Sequence, residues 1–165
     1  MTATDELLAR AELFRESFGG GNLPRQPATG VTVVTCMDSR IDLFRLLGIG
    51  EGDAHVLRNS GGIVTTDVRR SLAISQRLMG TTEVVLIQHT DCGMLTFTDA
   101  ELDAALRSET GRAPDWSGGA FTDLEVSVRQ SINQLRGDPF VPHRQSIRGF
   151  VYDVDKGSLR EIDPG

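Results

Sequence analysis

Two short stretches carry most of the side chains in this sequence whose types and spacing could do chemistry together. Cys36-Met37-Asp38-Ser39-Arg40 brings a thiol, a carboxylate and a guanidinium within five residues. His89-Thr90-Asp91-Cys92-Gly93 brings an imidazole and a thiol with two residues between them. Cys36 and Cys92 are the only cysteines of the chain, and His89 is one of three histidines. Cys36, His89 and Cys92 make a Cys₂His set, one donor short of a closed tetrahedral zinc site. An open fourth position is the mark of a catalytic rather than a structural metal.

Other uses of these residues have to be weighed. A single cysteine at a strand end is most often a small buried hydrophobe, and two at neighbouring strand ends can form a disulfide. Neither explains why His89 accompanies Cys92, or why Asp38 and Arg40 accompany Cys36. A phosphatase-like nucleophilic thiolate needs nearby positive charge in an anion-cradling loop with an arginine several residues on. Arg40 is too close to Cys36 for that, and nothing basic follows Cys92 before Arg107. Asp38 and Arg40 could be an ordinary surface ion pair; in the same turn as a metal ligand they become the groups that orient whatever fills the open position. Arg58-Asn59-Ser60-Gly61-Gly62 reads either as plain turn chemistry or as backbone N–H groups offered to an anion. His55 and His143 stand alone and read as structural or exposed.

The elements that must position these residues follow from pattern. Val31 to Thr35 is a β-branched apolar run, a buried first strand. A short helix over 41–47 stops at Gly48 and Gly50. A second strand covers about 54–57. Thr65 or Thr66 caps a helix through Met79, with Val68, Leu72 and Leu78 inward and Arg69, Arg70 and Arg77 solvated. Glu83 to Ile87 is a third strand. Helices follow at 99–108 and 122–135, and strands at 147–154 and 159–162 flank Asp155-Lys156-Gly157-Ser158, a hairpin turn. Strands alternating with helices imply an α/β domain with a mostly parallel sheet covered on both faces. Residues 1–165 read as one domain, with residues 1–30 as an N-terminal helical arm (4–17) and a glycine-rich loop. The arm packs either on its own domain or on a neighbouring subunit. Each polar stretch begins where a strand ends, which is where open parallel sheets build their sites.

Composition narrows the partners. At 165 residues the chain is the size of one ordinary domain. A formal net charge of −6 leaves no basic stripe, which speaks against nucleic acid and anionic membrane as partners. No apolar run approaches the length of a bilayer span. The acidic first residues lack a signal-peptide pattern, so the expected setting is the cytoplasm, where two cysteines serve metal or catalysis sooner than a structural bridge.

Cys36-Met37-Asp38-Ser39-Arg40 followed by His89-Thr90-Asp91-Cys92-Gly93 strongly resembles the β-class carbonic anhydrases, whose signature is Cys-x-Asp-Ser-Arg and His-x-x-Cys-Gly. The resemblance is close over residues 31–93 and resumes at Gly149-Phe150-Val151-Tyr152-Asp153 and Gly157-Ser158-Leu159. The compact length and the 58–62 loop are similar to the branch found in archaea and some bacteria. The resemblance implies a zinc ion on Cys36, His89 and Cys92, and reversible hydration of carbon dioxide to bicarbonate. It implies that Asp38 orients the nucleophile while Arg40 keeps Asp38 ionised and off the metal. It also implies a homodimer, or dimers paired into a tetramer. Plant-type members line the pocket with a glutamine and aromatics partly from the partner subunit; no counterpart is assigned here. Hydrolysis of carbon disulfide or carbonyl sulfide on the same scaffold is therefore the nearest rival. A non-catalytic zinc or redox sensor using Cys36 and Cys92 is the rival from another class.

Overall fold

A computed structural model describes residues 1–165. Five strands form one sheet in the order β2-β1-β3-β4-β5, with β1 at Val31–Cys36, β2 at Ala54–Asn59, β3 at Glu83–His89, β4 at Ile147–Tyr152 and β5 at Leu159–Ile162. The first four are parallel and only β4–β5 is antiparallel. The helices are α1 (Ala3–Ser17), α2 (Leu43–Leu47), α3 (Thr66–Leu78), α4 (Asp99–Thr110) and α5 (Leu124–Arg136). The mostly parallel α/β architecture with an antiparallel edge and an N-terminal helix agrees with the sequence reading.

Local chemistry sets the helix ends. Thr2 caps α1, one residue before its first turn, in a reciprocal capping box with Asp5. Thr65 caps α3 and Asp123 caps α5, each through its side-chain oxygen. The second strand runs two residues longer than its apolar pattern, because Arg58 and Asn59 keep the parallel ladder with Thr35 and Cys36. Leu78 corrects the expected inward face of α3: it is exposed. Six residues past the buried Leu72, it lies about 240° around the helix and so points away from the sheet.

The two faces of the sheet are unequal. On one, α3 and α5 bury Val34, Leu72, Leu86, Val128, Ile132 and Leu135 in a thick core. Gly149 in β4 has no room for a side chain there: a Cβ would lie 2.5 Å from Val128 Cγ1. The other face carries a smaller cluster that includes Cys36, Ile87 and Cys92. Val31, Val85, Phe150 and Leu159 are only partly covered there and line an apolar cavity of about 220 Å³. The arm α1 buries no residue against its own chain. Its Leu7, Leu8, Leu13 and Phe14 are all exposed.

Asp138, just past α5, ties that helix to α3. Its side chain is 1% exposed, pairs with Arg69, and accepts from the Phe140 N–H at 2.8 Å. The Arg69 guanidinium holds its carboxyl below the ordinary range. A depressed folded-state pKa means that this stabilisation is present above the unfolded carboxylate pKa, about 3.9, and is lost as pH falls through the folded value. Asp138→Ala should therefore cost about 1–3 kcal/mol at pH 7. Urea unfolding of both proteins at pH 7 and at progressively lower pH should show that difference shrinking below about pH 4.

Candidate metal centre

The strand order reverses between β1 and β3: the chain leaves β1 towards β2 on one side and returns to β3 on the other. Such a switch point opens a crevice at the carboxyl ends of the strands. Cys36 is the last residue of β1 and His89 the last of β3. Cys92 follows in a tight turn whose reversal comes at Asp91, one of two non-glycine residues with positive φ (+52°). The donor atoms of Cys36, His89 and Cys92 all lie within 4.8 Å of one another, and all three residues are buried.

The surroundings prepare these atoms for a cation. His89 Nδ1 lies 2.9 Å from the Thr90 carbonyl. A carbonyl only accepts, so Nδ1 carries the hydrogen and Nε2 carries the lone pair. Nε2 is buried and has no hydrogen-bond partner, a costly state for a polar atom in a folded interior. Hydrogen bonding from the Cys92 thiol draws the Cys36 pKa down against the effect of burial. Cys92, as donor to Cys36, is pushed up. For His89, burial acts to lower the pKa, but the neighbouring Cys36 outweighs it and raises the value. Two thiols and an imidazole lone pair at this separation form a set that a divalent cation fits, displacing the thiol protons as it binds. Both cysteines are free, with no disulfide between them.

Asp38 and Arg40 stand beside this set. Asp38 Oδ2 is 3.7 Å from His89 Nε2. Arg40 grips both carboxylate oxygens, Nε donating to Oδ1 at 3.0 Å and Nη2 to Oδ2 at 2.8 Å. Those bonds, with the Arg40 backbone N–H, hold the Asp38 carboxyl well below the usual range. Arg40 also donates to Asp91, a partner that sequence reading did not assign. Its signal was in view: an aspartate, one of the few types that tolerate positive φ, placed between two candidate ligands.

The loop at 58–62 divides its labour. Arg58 spends its guanidinium on the carbonyls of Cys36 (2.9 Å), Ile41 (3.2 Å) and Asp38 (2.7 Å), and so clamps the turn after β1. The Asn59 side chain pairs with both backbone groups of Ile63. Gly61 N–H points at Cys36 Sγ, 3.3 Å away. Gly62, at φ +62°, packs directly on the strands: a Cβ would lie 2.8 Å from Cys36 N and 2.9 Å from Ile87 O. Ser60 and Gly61 reach the cavity beside the cluster, about 410 Å³, with Met37, Met94 and Phe97 among its walls. His55 hydrogen-bonds Ser75 at 2.7 Å, in β2 and α3 respectively, and His143 is exposed; neither joins the cluster.

Comparison with known proteins agrees with this geometry. The carbonic anhydrase family profile matches residues 31–118. β-Carbonic anhydrase 1 of Mycobacterium tuberculosis is 51% identical over 164 residues, spanning 99% of this chain and all of that protein. The crystal structure of a carbonic anhydrase from Streptococcus mutans superposes with a TM-score of 0.92 at 43% identity, covering 99% of both chains. A carbon disulfide hydrolase of Acidithiobacillus thiooxidans is 35% identical over 153 residues, 78% of this chain and 70% of that one.

Gly62→Ala tests how far the centre depends on that close approach. The new Cβ meets backbone that cannot swing aside, at a φ unfavourable to alanine. Calorimetry should show a Tm lower by about 5 °C or more, and elemental analysis should show less metal per chain.

Proposed function

This chain belongs to the β-carbonic anhydrases, and from that premise we propose that it catalyses the reversible hydration of carbon dioxide to bicarbonate and a proton. The observation that carries the reading is the ionised Asp38, held at both oxygens by Arg40, with Oδ2 3.7 Å from His89 Nε2 in the Cys₂His cluster. We take the metal to be zinc on Cys36, His89 and Cys92, because two thiolates and an imidazole with one position left over are the donor set of a catalytic zinc. Bound there, zinc supplies the Lewis acidity that makes water nucleophilic near neutral pH.

The chain's own groups do the rest. An ionised carboxylate can only accept, so Asp38 takes the O–H of the attacking water and turns its lone pair towards the substrate carbon. Arg40 keeps the carboxylate charged and edge-on. The Gly61 N–H, aimed at Cys36 Sγ, draws off part of the charge that two thiolates would otherwise donate to the metal. Met37, Met94 and Phe97 offer apolar walls to an uncharged linear substrate. Within the 58–62 loop, Ser60 and Gly61 are the residues placed to meet substrate or bicarbonate. Arg58, Asn59 and Gly62 support them from behind.

Residues 1–165 act as one domain in this reading, with residues 1–30 as the arm. The exposed apolar side chains of α1 and the half-covered second face of the sheet favour a homodimer, in which one protomer's arm covers its partner; pairing of dimers into a tetramer extends the same logic. Reduced cysteines as ligands suit a cytoplasmic setting. No helix is long and apolar enough to cross a membrane.

Stopped-flow measurement of proton release from carbon dioxide by the zinc-loaded protein tests the activity. Fast release that disappears with the metal is expected. Turnover of carbon disulfide or carbonyl sulfide alone would transfer the site to the rival substrate. Turnover of none of them, with reversible Cys36–Cys92 disulfide formation, would make the protein a sensor. Asp38→Asn should keep its zinc yet lose about a hundredfold in kcat, the scale of misplacing a reacting group. Light scattering should find a dimer or larger, and removal of residues 1–22 should release monomers; a stable, active monomer of the full chain would refute the assembly.

A further inference from the structure

Arg40 faces two carboxylates. Beyond Asp38, its Nη1 donates to Asp91 Oδ2 at 2.7 Å, and its Nη2 donates a second time, to the Asp91 carbonyl, at 2.9 Å. Nη2 therefore spends one hydrogen on Asp38 Oδ2 and the other on the Asp91 backbone. Because a guanidinium is planar with its donors in a rigid fork, these bonds fix one orientation. Arg40 cannot turn about its Nε–Cζ axis without giving up contacts on both sides.

The exposures show what this second contact can do. The Asp91 side chain is 77% exposed and that of Arg40 46%, against 18% for Asp38. An ion pair so open to water adds little to stability. Its geometry still acts: it ties the turn that follows Cys36 at the end of β1 to the turn after β3, which bears Cys92. Asp91 also carries the left-handed φ of +52° that reverses the chain between His89 and Cys92. One residue thus shapes the ligand-bearing turn and holds the outer edge of the arginine that aims Asp38.

We propose that Asp91 is a positioning residue for the hydration reaction: it locks Arg40 from the solvent side, so that Arg40 presents Nε and Nη2 together to Asp38. The inference rests on the reading that Asp38 orients the attacking water. Without the Asp91 carboxylate, Arg40 keeps only the backbone carbonyl on that side and gains freedom to rotate. Asp38 then samples orientations that aim the nucleophile badly, and the loss falls on kcat rather than on KM.

Substitutions separate the carboxylate from the backbone role. Glycine accepts the positive φ and removes the acceptor. Asparagine also tolerates that φ and keeps a neutral acceptor oxygen, a weaker partner than a carboxylate. In the zinc-loaded protein, Asp91→Gly should retain full metal and a Tm within about 2 °C of the parent. Its kcat should fall about fivefold at unchanged KM, the scale of one exposed charge-assisted contact, with Asp91→Asn between the two. Nitrogen-15 NMR supplies a readout independent of turnover. The Arg40 Nε–H signal, assigned by its absence in Arg40→Lys, should exchange with water faster in Asp91→Gly than in the parent. Acting through Arg40, Asp91→Gly should add nothing to the loss caused by Arg40→Ala. Unchanged Arg40 exchange in both Asp91 variants would overturn the proposal, as would fully additive losses with Arg40→Ala. Should the parent prove to hydrate no carbon dioxide, the exchange measurement still decides whether Asp91 locks Arg40.

Discussion

The metal centre depends first on the register of β1 against β3. Thr35 pairs with Ile87, so Cys36 and His89 leave neighbouring parallel strands at nearly the same height. Side chains alternate between the faces of a strand, so a slip of one residue would send one donor to the opposite side of the sheet. Two devices guard this register. Alternating Val33 and Val34 belong to different cores, and a slip would exchange them between two cores packed differently. Gly62 is wedged against Cys36 and the Ile87 carbonyl, a fit that only the observed alignment allows.

On this frame the polar groups work as braces in series. Arg58 gathers three carbonyls of the turn after β1. Thr90 fixes the His89 ring through its own carbonyl. Its amide is held by the Tyr152 carbonyl in β4, and its hydroxyl accepts from the Val154 N–H. The ligands are thus supported from three strands. The side chains in this scaffold are set by backbone partners, which move less than other side chains do, and a site so held needs little reorganisation when substrate arrives.

Much of this was legible in the sequence for physical reasons. The β-branched runs at 31–35 and 83–87 could only be buried strands, and the strand-end rule then brought Cys36 and His89 to one place. What escaped did so for separate reasons. Leu78 looked inward because it is apolar, yet helical phase places it outside. The 58–62 loop read either as turn chemistry or as backbone N–H groups offered to an anion; the partners of the Arg58 guanidinium are carbonyls that no spacing rule could forecast. Asp91 stood in view between two ligands, but its role lies in a contact with a residue far away in the chain, which spacing does not show. The arm's ambiguity was also physical, since an apolar stripe records only that something covers it, and α1 finds no cover within its own chain.

Cys36 and Cys92 belong at once to the donor set and to the smaller core of the sheet. During synthesis Cys36 leaves the ribosome well before His89 and Cys92, and until β3 docks beside β1 an ion meets at most two of the three protein donors. Tight capture has to wait for that docking. Loading by all three donors therefore reports that the strand crossing has been made.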